Sequence, residues 1–167
     1  MKYLLVSLLF VANIFATNIS FEFDDINDNK INITLDKTGI KFTNSPNKII
    51  LLDFWGLYCP PCIMTIPHLI ELQDTYKDKL EVIGIQVQDR LSTNQMKKFI
   101  QKFGINYKIV DSDKTNGFIN IISNITNWQG SIPFMLLIDT NGKIRTLYKG
   151  LVSKRELSMD IRKIINN

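Results

Sequence analysis

Alternating and continuous apolar runs, separated by turn-forming clusters, divide this chain into a regular series of elements. Residues 19–23 and 30–35 read as two short strands. Asp24-Asp25-Ile26-Asn27-Asp28-Asn29 between them is turn chemistry, because Asp and Asn bond nearby backbone and tolerate positive φ. Residues 39–42 add a short extended piece, and Asn44-Ser45-Pro46-Asn47 a loop. Residues 48–55 are apolar almost throughout, as expected of a central strand buried on both faces. Helical spacing follows over 62–79, with Ile63, Ile66, Leu69, Ile70 and Leu72 on one face and a kink expected at Pro67. A second buried strand covers 80–87. A helix is predicted over 92–103, capped by Ser92, boxed by Gln95 and stopped at Gly104. A short strand over 107–110, a helix over 113–125 and a loop over 127–131 come next. Strands over 134–138 and 143–148 flank Asp139-Thr140-Asn141-Gly142, whose Asn-Gly is a hairpin signal. Ser153, with Glu156 three residues on, opens a last helix to about residue 165. The order is hairpin, β-α-β-α-β-α, β-hairpin, α. It implies an α/β sandwich with a mixed central sheet flanked by helices.

The start of the chain follows a different pattern. Lys2 precedes an apolar run, from Tyr3 to Ala16, broken only by Ser7 and Asn13. Residues 1–16 have the layout of a secretory signal peptide and are short for a membrane span; an uncleaved anchor is the other reading. Residues 17–167 are then one domain, with an N-terminal extension over 17–47, a core over 48–167 and an insertion at about 89–104. The chain has 167 residues and is 45% apolar, enough to bury a core. Its net charge is +4, from 20 basic and 16 acidic residues without a dense basic run. That distribution argues against nucleic acid as a partner.

Only two cysteines are present, Cys59 and Cys62. A bridge between them would close a tiny loop and restrict the unfolded chain little, so the pair makes a poor staple and a good redox couple. Placed where a strand gives way to a helix, Cys59 would occupy the N-cap. There the free N–H groups and the dipole favour a thiolate, the nucleophilic form. Cys62 lies one turn in, within reach of a mixed disulfide on Cys59. Pro60 and Pro61 carry no N–H and no His lies between the cysteines. The thiolate pKa is therefore expected near about 7, well above the roughly 3.5 of a strong oxidant. Half of a zinc site is the competing reading, but zinc needs four ligands and His68 is the only histidine. Cu(I) also suits soft sulfur, although the Met residues do not cluster near the pair.

Asp53-Phe54-Trp55-Gly56-Leu57-Tyr58-Cys59-Pro60-Pro61-Cys62, with Pro67 beyond, resembles the active-site segment of thioredoxins. Ile132-Pro133 resembles their cis-proline loop. The leader, the preceding hairpin and the helix at 92–103 resemble more narrowly the exported TlpA/ResA-like thioredoxins. The resemblance implies a thioredoxin fold and assigns roles. Cys59 would be the attacking thiol and Cys62 the resolving thiol. Pro133 would be cis and packed against the disulfide, with neighbouring backbone offered to an extended substrate. Asp53 would be the buried acid that takes the Cys62 proton. Trp55, Tyr58, Pro60, Pro61, Ile132 and Trp128 are the candidates for substrate contact, with core packing the other role open to Trp55 and Trp128. Three positions depart from the pattern. Tyr58 stands where thioredoxins usually have Trp, Thr65 where ResA-like proteins have Glu, and Ser131 where Gly is common.

The implied activity is extracytoplasmic, in the periplasm: reduction of protein disulfides, with cytochrome c maturation as a destination. The expected partners are protein disulfide substrates and a membrane electron donor of the DsbD or CcdA type. No cofactor is expected beyond the Cys59–Cys62 disulfide itself, no metal, and a monomer. A DsbA-like oxidase and a copper-binding or chaperone module with a redox-inert pair remain the alternatives.

Overall fold

The structure, a computed structural model, describes residues 18–88, 91–111, 113 and 115–166. The leader at 1–16 lies outside the described residues. Strands β1 (Ile19–Asp24), β2 (Lys30–Asp36) and β3 (Gly39–Phe42) form an antiparallel three-stranded sheet. The remaining elements are β4 (Ile49–Trp55), α1 (Pro60–Thr75), β5 (Leu80–Gln86), α2 (Thr93–Phe103), β6 (Lys108–Val110), α3 (Asn116–Thr126), β7 (Phe134–Ile138), β8 (Ile144–Lys149) and α4 (Lys154–Ile165). The second sheet has the order β6-β5-β4-β7-β8. β5 runs parallel to β4 and β6 to β5, whereas β7 pairs antiparallel with β4 and β8 with β7. The mixed sheet and the element order match the sequence expectation.

β4 is central because every one of its residues is apolar except Asp53, and all seven are buried. Side chains alternate across a strand. Ile50, Leu52 and Phe54 therefore enter one core with Phe118 and Ile122 of α3 and Phe23, Ile31 and Ile33 of the N-terminal sheet. Ile49 and Leu51 enter the opposite core with Leu69 and Leu72 of α1 and Leu157 and Ile161 of α4. Trp55 continues that second face into a third cluster with Cys59, Cys62, Ile66, Met96 and Ile109. Helices α1, α2 and α4 thus cover one face of the sheet. α3 and the small sheet cover the other.

Local signals set most boundaries. Ser92 Oγ accepts from the Gln95 N–H and Gln95 Oε1 accepts from the Ser92 N–H, a closed capping box. Gly104, at φ 65°, ends α2 in the left-handed conformation. Two expectations shift, and the expected hairpin takes a particular form. α1 starts at Pro60 and continues through Pro67, but stops at Thr75 instead of residue 79, where a turn built on the Tyr76 carbonyl takes over. α3 starts at Asn116 instead of residue 113. The β7–β8 connection places only Gly142 at positive φ, at 86°, with Asp139 Oδ1 accepting from the Asn141 and Lys143 N–H groups. That is a three-residue loop with a bulge. No described helix is long and apolar enough to cross a membrane.

Candidate functional site

The buried central strand β4 delivers the chain to its C-terminal end at Trp55. Gly56, Leu57 and Tyr58 then cross to the tip of α1. Cys59 is the N-cap, in extended geometry at φ −111° and ψ 96°, so the helix begins only after it. Pro60 and Pro61 fill the first two helical positions, where a fixed φ fits and a missing N–H is no loss. Cys62 N–H therefore becomes the first amide able to point at the cap, and it donates to Cys59 Sγ at 3.3 Å. The Ile63 N–H donates to the Cys59 carbonyl at 3.1 Å. Cys59 and Cys62 are joined by a disulfide across a Cα–Cα distance of 5.2 Å. Both are buried, Cys59 with 6% of its surface exposed and Cys62 with 1%. Of the two, Cys59 is the more exposed.

The Ile132–Pro133 peptide bond is cis. Ile132 is half-buried and packs against the cluster that contains both cysteines. Beneath this loop, Trp128 stacks on Phe134 at 4.9 Å between ring centres, with 7° between the planes. Its indole N–H donates to the Ser131 carbonyl at 2.7 Å. Trp128 is only 3% exposed and Trp55 only 2%, so neither offers a substrate any surface. Of the two roles open to them, substrate contact and core packing, the structure shows packing: both lie under the site, because large aromatic area is most stable when buried. Tyr58, 74% exposed, and Pro60 face outward, while Pro61 is half-buried.

Asp53 shares a strand face with Trp55, two residues away, and is 2% exposed. Its Oδ1 has no hydrogen-bond partner among the described residues. Burial alone holds its carboxyl up to about 7. Tyr107 lies close enough to feel it. Burial first, and the Asp53 charge second, push that phenol well above its usual value. His68, the one histidine, is half-buried on α1. Among the described residues no three of His, Cys, Asp and Glu cluster as metal ligands.

One contributor has no signal of its own in the sequence. The Gln88 carboxamide lies over Gly56, where a Cβ would come within 2.0 Å of its Oε1. That oxygen accepts the Tyr58 N–H at 3.2 Å. The approach to Cys59 is thereby tied to the end of β5.

The arrangement is that of a dithiol–disulfide couple: one sulfur at a helix tip, its partner a turn away, and a buried acid on the strand face of Trp55, which packs with both cysteines. The chain is 29% identical over 126 residues to thiol-disulfide oxidoreductase ResA of Geobacillus thermodenitrificans, covering 74% of this chain and 67% of that protein. It is 26% identical over 120 residues to the thioredoxin-like protein YneN of Bacillus subtilis, covering 71% and 66%. Among solved structures, a thioredoxin-family thiol:disulfide interchange protein from Chlorobium tepidum superposes with a TM-score of 0.70 at 20% identity, over 92% of this chain and 99% of that one. StoA from Bacillus subtilis superposes with a TM-score of 0.63 at 18% identity, over 86% and 97%. These two likenesses concern the fold. The profile of the thioredoxin-like family matches residues 47–144, from the loop before β4 to the start of β8, and the chain belongs to that family.

Proposed function

We propose that this protein is an extracytoplasmic thiol-disulfide oxidoreductase that works as a reductant of protein disulfides. The observation that carries the reading is the Cys59–Cys62 pair at the N-terminus of α1, with the Cys62 amide as the one N–H donor to the Cys59 sulfur among the described residues. In the reduced protein, the Cys59 thiolate attacks one sulfur of a substrate disulfide. A Cys59–substrate bond forms and the other substrate sulfur leaves as a thiolate, which takes a proton. Cys62 then gives up its proton and attacks Cys59 Sγ. The Cys59–Cys62 bond forms, the second substrate sulfur leaves and is protonated, and two electrons have passed to the substrate. Asp53, held near 7, is poised to take the Cys62 proton at neutral pH. A membrane dithiol donor of the DsbD or CcdA type would return the electrons.

The direction follows from donors at the sulfur. Pro60 and Pro61 supply none, so a thiolate at Cys59 gains less stabilisation than at a helix tip with three free amides, and the couple is more reducing. The apolar leader supports a location outside the cytoplasm. Apocytochrome c is the proposed client class, because its haem-attaching cysteines must be reduced before use. No cofactor beyond the disulfide is required by this chemistry. The test is reduction of insulin disulfides with dithiothreitol as the electron source. The wild type should accelerate the reaction, and Cys59→Ser should not; an active Cys59→Ser variant would overturn the reading.

A further inference from the structure

Gln88 stands two residues beyond the end of β5, and Pro133 immediately before β7. These strands flank β4 on its two sides. Trp55 is in register with Gln86, and Phe54 with Phe134. Gln88 and Pro133 therefore occupy opposite shoulders of the loop that leads to Cys59. A backbone N–H can only donate, so the Gln88 carboxamide must present its oxygen to Tyr58. With the oxygen engaged there, the Nε2 group is left for another acceptor. Among the described residues it has no acceptor, and Gln88 is exposed. An exposed glutamine normally samples many rotamers and loses them on binding. Here the missing side chain at Gly56 provides the bed in which the carboxamide lies. The donor is thus oriented before any partner arrives.

We propose that Gln88 is a specificity-determining residue for polypeptide disulfides, its Nε2 group donating to a main-chain carbonyl of the docked substrate. An extended chain presents carbonyls at regular intervals on both sides of a disulfide, and it can reach the Gln88 shoulder while its cysteine sits on Cys59. Tyr58, beside this donor and 74% exposed, gives that segment an aromatic surface to lie on. A small disulfide has no main chain to offer and reacts without this contact. The inference rests on the oxidoreductase reading above.

The test compares insulin and a small aromatic disulfide as substrates for wild type, Gln88→Glu and Gln88→Met. Glu keeps an oxygen for the Tyr58 N–H and removes the donors, and Met removes both without adding charge. In both variants KM for insulin should rise by about 3- to 10-fold, the effect of one net hydrogen bond, with kcat retained. In Gln88→Glu the ratio of insulin to small-disulfide kcat/KM should fall by the same factor of about 3 to 10, since any effect of the added charge on the thiolate acts on both substrates alike. An unchanged insulin KM in both variants overturns the proposal. So does an equal loss on both substrates, which would make Gln88 a support for the loop only. A wild type inert toward both substrates would bring down the underlying activity, and a wild type active on both while the variants match it brings down Gln88 alone.

Discussion

Replacing Asp53 with Asn should stabilise the protein, and by an amount that grows with pH. Asp53 is buried on the central strand, its Oδ1 has no partner among the described residues, and its carboxyl is raised from 3.8 to about 7 by burial alone. A carboxyl with a raised folded-state pKa binds its proton more tightly folded than unfolded. Stability is therefore intact at low pH, falls as pH rises from the unfolded value, and levels off above about 7. At about 1.4 kcal/mol per unit, the full penalty is about 4 kcal/mol, present at pH 8.5, against about 2 kcal/mol at pH 5. Asn cannot ionise and escapes this term, although its buried amide carries a pH-independent cost. Urea unfolding of the oxidised wild type and Asp53→Asn at the two pH values isolates the ionic part. The stability gap should widen in favour of Asn by about 2–3 kcal/mol from pH 5 to pH 8.5. A gap that stays constant, or narrows, would refute the burial of an uncompensated acid on the central strand.

The Cys59 thiolate can be titrated by its ultraviolet absorbance in the reduced protein. A helix tip contributes about 0.5 kcal/mol and one charge-assisted N–H about 1.5 kcal/mol, which together lower a free thiol near 8.5 by about 1.5 units, to around 7. A value below about 5 would contradict the single-donor geometry. In cells, Cys62→Ser should accumulate mixed disulfides through Cys59 that dissolve on reduction. Loss of the adducts in Cys59→Ser, which keeps Cys62, confirms the attacking sulfur, and adducts that form through Cys62 in that variant would reverse the two roles.

What could be read from the sequence was what depends on neighbours a few residues away. The N-cap place of Cys59, the Ser92–Gln95 box and the Gly104 stop are all closed by atoms within one turn of helix. The burial of residues 49–55 follows from an unbroken apolar run with one acid in it, and that exception marked Asp53. The end of α1 was harder. Residues 76–79 keep helical composition, but the Lys79 and Leu80 amides both turn onto the Tyr76 carbonyl to bring the chain back beside β4. Tertiary packing also decided the two tryptophans. A loop tryptophan before the cis-proline looks accessible, yet Trp128 fills the space between Phe54 and Phe134. Gln88 was invisible because its partner, the Tyr58 amide, lies 30 residues away and is met only across the β4–β5 pairing. Gly56, an unremarkable glycine in the sequence, was the one trace of it.

The reduction potential of the Cys59–Cys62 couple, measured by equilibration with thiol–disulfide buffers of known ratio, tests the central claim most directly. A thiolate held by one amide at a helix tip, between two prolines, should give a potential near about −270 mV, in the range of a reductant. A potential near about −120 mV would mean a strongly stabilised thiolate and an oxidant, and would contradict the electrostatics from which the direction was derived.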